Sequence, residues 1–160
     1  MTHALQKPSS GLASSTPAVI RGAFALWVTA VAAGVFETVL AVGRMAADGT
    51  GSASEIAVGL AIRIPVFAAA LLIAVQMRRG RRWARIALTL GLGVVGTASM
   101  VAQPIRAWAQ GRSLSTALQE AGAMDFAFAA SRVLHVAAVL TAVVLMFLPA
   151  ATPHFANKRA

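Results

Sequence analysis

The sequence predicts an all-α fold, a bundle of four transmembrane helices. Of its 160 residues, 58% are hydrophobic and 12% are charged, whereas about a quarter of the residues in a soluble domain are charged. Four apolar runs are each long enough to cross a bilayer, since about 20 residues span a hydrocarbon core of about 30 Å. The spans are expected at about 22–43, 55–77, 83–102 and 126–148.

The segments outside the spans are polar or rich in proline. Residues 1–18 are expected to form a disordered tail, the membrane domain to cover 19–150, and residues 151–160 to form a second tail. Span three is expected to end before Pro104, because the residue before a proline disfavours helical geometry. In the link that follows, residues 113–121 are predicted to form a short interfacial helix with Leu114 and Leu118 on one face.

A basic hairpin between spans two and three predicts the orientation. Its topology-determining residues are Arg78, Arg79, Arg81, Arg82 and Arg85. Cytoplasmic loops carry an excess of Lys and Arg, and with this hairpin inside, nine basic residues lie inside against three outside. Both termini are therefore expected in the cytoplasm, in a multi-pass protein of the cell membrane.

Composition argues against several classes of function. The chain has no cysteine, so thiol redox chemistry and thiolate metal sites are excluded. The formal charge of +9 is explained by topology rather than by nucleic acid. Only His135 could ligate a haem from within a span, and the glycine pattern at 91–96 lacks the preceding strand of a dinucleotide site. We expect no metal and no cofactor.

Four ionisable residues on three spans are predicted to reach one level of the bilayer. Counted from the inner helix ends at about 1.5 Å per residue, the residues Glu37, Arg63, Arg132 and His135 lie about 20–24 Å deep. Charges at such depth cost about 2.5–3.5 kcal/mol each unless they are paired or hydrated, so they are functional candidates. This polar cluster is the candidate site.

Three interpretations of the polar cluster remain open. Glu37 could pair with Arg63 or Arg132 and fix the helix register as a buried network. A water-filled pocket with one excess positive charge could instead bind an anion or a lipid headgroup. Proton-coupled transport through Glu37 and His135 is a third alternative. A hydrolytic triad of Ser131, His135 and Glu37 has no geometric support in the sequence.

Two short motifs carry a family resemblance. One is 80–86, Gly-Arg-Arg-Trp-Ala-Arg-Ile, which opens span three, and the other is 145–149, Leu-Met-Phe-Leu-Pro, which closes span four. With these motifs the chain resembles small four-span membrane proteins of actinobacteria over roughly 17–155. The resemblance implies a multi-pass plasma-membrane protein and no activity, so no functional residue is carried over from it.

The sequence thus favours a non-enzymatic membrane protein, an accessory or scaffold subunit held together by the polar cluster. The alternative is a small transporter or a binder of an anion or lipid headgroup that uses the cluster as its site. The expected partners are the lipid bilayer and either another membrane protein or a second copy of the chain.

Overall fold

The computed structural model describes residues 16–156, except 112, 114, 116, 117 and 120 and the side chains of 103 and 104. Residues 1–15, residues 157–160 and four of the nine residues of the expected interfacial helix at 113–121 lie outside the described residues. The long helices are α1 (Ala18–Asp48), α2 (Ala53–Arg78), α3 (Arg82–Ala109) and α4 (Ala123–Phe147), followed by a 3₁₀ turn (Pro149–Ala151) and α5 (Thr152–Ala156).

The predicted fold class is confirmed. The described residues contain no strand, and each long helix is apolar and long enough to cross a membrane. We call the end of the bundle at Arg78–Arg85 the hairpin end. The opposite end, where residues 49–52 and 110–122 connect the helices, is called the link end.

Helices α1 and α4 form the main packing pair and run antiparallel along their length. At the hairpin end, a Cβ at Gly22 would lie 3.5 Å from Leu145 Cδ1, and at the link end Arg44 Nη1 lies 2.7 Å from Asp125 Oδ1. Without a hydrophobic driving force in lipid, helices associate through close packing of small residues. Small residues accordingly form much of this contact: Ala23, Ala30, Ala138 and Ala142 are all buried.

The tightly packed core lies in the hairpin half of the bundle. Trp27 of α1, Met77 of α2, Leu88 of α3 and Met146 of α4 are fully buried there. By contrast, only 6% of the most apolar window of α2 and of α3 is buried. Two of the four helices therefore leave most of their apolar surface uncovered by the rest of the bundle.

Helices α2 and α3 meet at the hairpin end and diverge towards the link end. Their contacts are concentrated at Arg82–Leu88, the first two turns of α3. Further along, α3 becomes a π-helix at Thr89–Gly96, which packs mainly on α4, and Gly93 faces Val143 there. The link half of the bundle is consequently more open than the hairpin half.

The expectation that span three ends before Pro104 is wrong, because α3 continues to Ala109. Proline is tolerated inside a membrane helix where neighbouring groups satisfy the freed backbone. Helix α2 likewise continues through Pro65. Trp83 is half exposed and Trp108 is exposed, near the two ends of α3, where tryptophans of membrane helices are enriched.

The chain after α4 folds back onto the hairpin, so residues 151–156 of the expected tail pack against the bundle. Ala151 and Phe155 are buried in the core. Arg82 Nε donates to the Phe155 carbonyl over 2.8 Å, and the Arg85 guanidinium stacks 4.4 Å from Phe147 and 5.0 Å from Phe155. The sequence does not predict the packing of this segment, because it is rich in proline and its two buried side chains form no recognisable apolar pattern.

The basic hairpin therefore has a packing role besides its predicted role in topology. Gly80 makes the turn with φ of 83°, a conformation that L side chains rarely adopt. Arg85 Nη1 donates to the Met146 carbonyl near the end of α4, and Arg78 lies 5.2 Å from the Phe24 ring. Arg79 and Arg81 are exposed.

Candidate functional site

All four residues of the predicted polar cluster line one cavity, the inner cavity, in the link half of the bundle. Its volume is about 380 Å³. Each of the four long helices contributes to its wall, which is formed by Gly34, Glu37, Thr38, Ala41, Arg63, Phe67, Ser99, Met100, Phe128, Arg132 and His135. The four side chains that the depth count places at one level thus line one cavity, and α3 adds Ser99 and Met100, which are uncharged.

Glu37 and Arg132 form an ion pair across the α1–α4 contact, but the pair is loose. Arg132 Nε lies 3.6 Å from Glu37 Oε2, longer than the 2.7–2.9 Å of a charge-assisted hydrogen bond. Glu37 is 9% exposed. Among the described residues, neither its Oε1 nor Arg132 Nε has a hydrogen-bond partner. A buried network that only stabilised the bundle would satisfy these atoms.

His135 lies beside the pair and is almost fully buried. Its Nδ1 has no hydrogen-bond partner in the described part of the chain, and a Cβ at Gly34 would lie 3.7 Å from its ring. Ser131, one turn away, donates instead to the Ala33 carbonyl over 3.3 Å. The serine therefore ties α4 to the α1 backbone and is not hydrogen-bonded to His135.

Arg63 reaches the inner cavity from α2, and its side chain turns towards the link end. A Cβ at Gly59, one turn nearer that end, would lie 3.1 Å from Arg63 Nη1, so the guanidinium passes over a position that lacks a side chain. Arg63 is exposed and has no ion pair among the described residues. Long basic side chains extend in this way towards a membrane interface.

A second cavity, the rim cavity, adjoins the first nearer the link end. It has a volume of about 520 Å³ and is lined by Ala41, Arg44, Met45, Asp48, Thr50, Asp125, Phe128 and Arg132. Three of these, Ala41, Phe128 and Arg132, also line the inner cavity. The two cavities are therefore neighbours that share one wall.

Arg44 forms an ion pair with each of the two aspartates that line the rim cavity. Its Nη1 donates to Asp125 Oδ1 over 2.7 Å, and its Nε lies 3.8 Å from Asp48 Oδ2. Asp125 also accepts the Gly122 N–H over 3.0 Å at the start of α4. Sequence reasoning missed this cavity because these residues fall at helix ends assigned to links. The spacing of Arg44 and Asp48, one helical turn apart, was the available signal.

The two cavities differ in net charge. Around the inner cavity, Arg63 and Arg132 outweigh Glu37 by one positive charge when His135 is neutral. Around the rim cavity, Asp48 and Asp125 are balanced by Arg44 and Arg132. No group of three His, Cys, Asp or Glu side chains in the described part of the chain could hold a metal ion.

Comparison with protein-family models, with curated proteins and with solved structures gives no match. The resemblance to four-span actinobacterial proteins therefore stays a prediction.

Proposed function

We propose that this chain is a multi-pass membrane protein that binds the anionic group of a lipid headgroup or small anion in the inner cavity and performs no chemical step. The proposal rests on the excess positive charge of the inner cavity. Arg63 faces the inner cavity with no described acidic partner, and Arg132 is held only loosely by Glu37.

Arginine suits such a ligand because its planar guanidinium offers a fork of N–H donors to phosphate or carboxylate oxygens. An anion between Arg63 and Arg132 would neutralise the excess charge. It would also lower the cost of holding an unpaired guanidinium near the hydrocarbon, which is about 2.5–3.5 kcal/mol at the bilayer centre. Binding of the anion is therefore expected to raise the free energy of unfolding.

The divergence of α2 and α3 supports a membrane-borne ligand. Phe67 and Arg63 lie on one side of the gap and Ser99 and Met100 on the other, all lining the inner cavity. A headgroup could enter sideways from the leaflet at the link end, while its acyl chains lie against the exposed faces of α2 and α3. Positive-inside bias would make this the outer leaflet of the cell membrane.

The test is phospholipid binding to the purified full chain by native mass spectrometry. Arg63→Gln and Arg132→Gln should each weaken the binding of phosphatidylglycerol by about tenfold, since a hydrogen bond to a charged group contributes about 1.5–3 kcal/mol. Arg106→Gln is the matched control, because Arg106 is exposed and lines neither cavity. Unchanged binding in both cavity variants would reject the proposal.

An accessory or scaffold role is the second candidate. The low burial of α2 and α3 favours it, because both helices offer long apolar faces to a partner helix. Gly93 of α3 is not part of such a face, since it packs towards Val143 of α4. Cross-linking in native membranes from single cysteines on exposed faces of α2, such as Leu72→Cys, tests this role.

A further inference from the structure

We infer that the ligand of the inner cavity carries hydroxyl groups beside its anionic group, so that its class is a phosphate ester of a polyol such as glycerol. This inference rests on the proposed function and names the ligand more closely. The two arginines hold the phosphate, and acceptor groups of the cavity wall bind the hydroxyls.

The Glu37 carboxylate is the first of these acceptors. Glu37 is 9% exposed and lines the inner cavity, and neither of its oxygens has a hydrogen-bond donor among the described residues. An ionised carboxylate accepts hydrogen bonds and donates none. Because a buried acceptor without a donor is costly, a ligand that brings a donor to Glu37 is favoured over one that does not.

The hydroxyl groups of the wall are acceptors as well. Thr38 Oγ1 donates its proton to the Gly34 carbonyl over 2.8 Å, and Ser99 Oγ donates its proton to the Gly96 carbonyl over 2.7 Å. A hydroxyl has one proton and two lone pairs, so each oxygen can offer only lone pairs to the cavity. Acceptors are therefore present on both α1 and α3.

The fixed donors of the wall are the two guanidinium groups. Arg63 and Arg132 donate N–H groups and accept nothing, whereas His135 Nδ1, unpartnered in the described part of the chain, donates or accepts according to its tautomer. An anion alone would use these donors and leave the acceptors of α1 and α3 unmatched. A ligand that has both anionic oxygens and hydroxyls matches the two sets.

A donor and an acceptor lie close enough for one small headgroup to reach both. Arg132 Nε is 3.6 Å from Glu37 Oε2, so a phosphate held by this guanidinium lies beside the carboxylate. In glycerol phosphate the nearest hydroxyl is on the carbon next to the ester carbon. The volume of the inner cavity, about 380 Å³, is in the range of small-ligand sites, about 300–1,000 Å³.

Charge favours a hydroxyl over an ammonium group as the donor of the ligand. The inner cavity has one excess positive charge when His135 is neutral. An ammonium group would add a further positive charge beside Arg63 and Arg132, and like charges repel strongly where water is scarce. A neutral hydroxyl satisfies the acceptors without this cost.

The experiment compares phosphatidylglycerol with phosphatidylpropanol of identical acyl chains on the detergent-purified full chain. Both headgroups have three carbons and one phosphodiester, and only the first has hydroxyl groups. Native mass spectrometry gives the ratio of the bound lipids. Wild type should prefer phosphatidylglycerol by about tenfold, the effect of one hydrogen bond to a charged group.

Two variants at one position test the acceptor apart from its charge. Glu37→Met should remove most of the preference, whereas Glu37→Gln, equally uncharged, should retain part of it because its amide oxygen still accepts. Ser99→Ala, at an exposed position of α3, should lower the preference as well. Arg63→Gln should weaken the binding of both lipids by the same factor, and Arg106→Gln again serves as the control.

The outcomes separate the two proposals. Equal binding of the two lipids by wild type, with both weakened in Arg63→Gln, would overturn hydroxyl recognition and leave the anion site intact. No effect of Arg63→Gln on either lipid would overturn the anion site itself. A preference that both Glu37→Met and Ser99→Ala leave unchanged would overturn the assignment of the acceptors.

Soluble ligands distinguish the source of the phosphate ester. Glycerol phosphate and propyl phosphate are each added to the complex with phosphatidylglycerol. Stronger displacement by glycerol phosphate would support recognition of a water-soluble polyol phosphate. Where wild type prefers phosphatidylglycerol, the absence of displacement by either would support the lipid headgroup. Equal displacement by the two would contradict hydroxyl recognition.

Discussion

Arg132 Nε lies 3.6 Å from Glu37 Oε2, close enough for electrostatic attraction and too far for a hydrogen bond. The Arg132 side chain is 39% exposed, whereas that of Glu37 is 11% exposed. The pair thus joins a buried carboxylate to a guanidinium with access to the cavity. Its geometry fits a carboxylate that positions a binding arginine better than one that holds two helices together.

The first prediction concerns the stability of this pair. Glu37→Gln should change the free energy of unfolding by less than about 1 kcal/mol, because a partly exposed pair without a hydrogen bond contributes little. A well-formed buried pair would cost about 3–5 kcal/mol when one partner is removed. Unfolding in mixed micelles measures the difference, and Glu37→Gln with Arg132→Met completes the cycle. A coupling energy of several kcal/mol would restore the structural interpretation.

The second prediction concerns the path of Arg63 over Gly59. Gly59→Leu should weaken phospholipid binding by about tenfold, because the new side chain occupies the space through which the guanidinium passes. Lipid titration followed by native mass spectrometry gives the ratio. Gly43→Leu is the matched control, since a Cβ at Gly43 meets nothing within 4 Å. Equal losses at the two glycines would contradict a specific role for this path.

The third prediction concerns the close approach of α1 and α2 beside the inner cavity. A Cβ at Gly34 would lie 2.9 Å from Phe67 Cε1, so Gly34→Ala should cost about 1–3 kcal/mol by overpacking. Thermal unfolding in detergent measures the loss. Gly22→Ala should be tolerated, because its Cβ would meet Leu145 at an ordinary 3.5 Å. Adding Phe67→Leu should restore stability to Gly34→Ala, and failure of this rescue would argue against the clash.

The fourth prediction concerns the C-terminal segment on the hairpin. Phe155 is 3% exposed and lies under the Arg85 guanidinium, so Phe155→Ala should cost about 3–5 kcal/mol. Phe126→Ala, at a half-exposed position of α4, should cost far less. Both are measured as shifts in the unfolding midpoint. Similar values for the two would mean that the segment does not hold the hairpin end together.

The fifth prediction concerns orientation. The chain contains no cysteine, so single cysteines can be introduced without background labelling. With the hairpin in the cytoplasm, Thr50→Cys at the link end should react with a membrane-impermeant maleimide added to intact cells. Thr16→Cys, before α1, should react only after the membrane is permeabilised. The reverse pattern would place the two cavities in the inner leaflet and would invert the proposed topology.

The spans and the inner cavity could be predicted from the sequence because both follow from distances along single helices. Hydropathy locates the spans, and counting residues from their ends brings Glu37, Arg63 and Arg132 to one level. The rim cavity could not be predicted in this way. It depends on Arg44 reaching Asp125 across the α1–α4 contact, which is a property of packing between residues distant in sequence.

The packing of the C-terminal segment could not be predicted from the sequence for a different reason. Pro149 and Pro153 are typical of a polar tail, and the burial of Ala151 and Phe155 is visible only when the hairpin is in place. For the arginines of the hairpin, the sequence predicts only a role in setting the membrane topology. Guanidinium groups also stack on aromatic rings and donate to helix C-terminal carbonyls, and Arg85 does both here.

The divergence of α2 and α3 makes the described bundle wider at the link end than at the hairpin end. At the hairpin end the helices meet around Met77 and Leu88, whereas at the other end α2 and the second half of α3 stand apart. The helix bundle therefore has the shape of a wedge that is wider at the link end. A lipid seated in the gap would complete the wider face, so the area that this chain occupies in the two leaflets would depend on the lipid it holds.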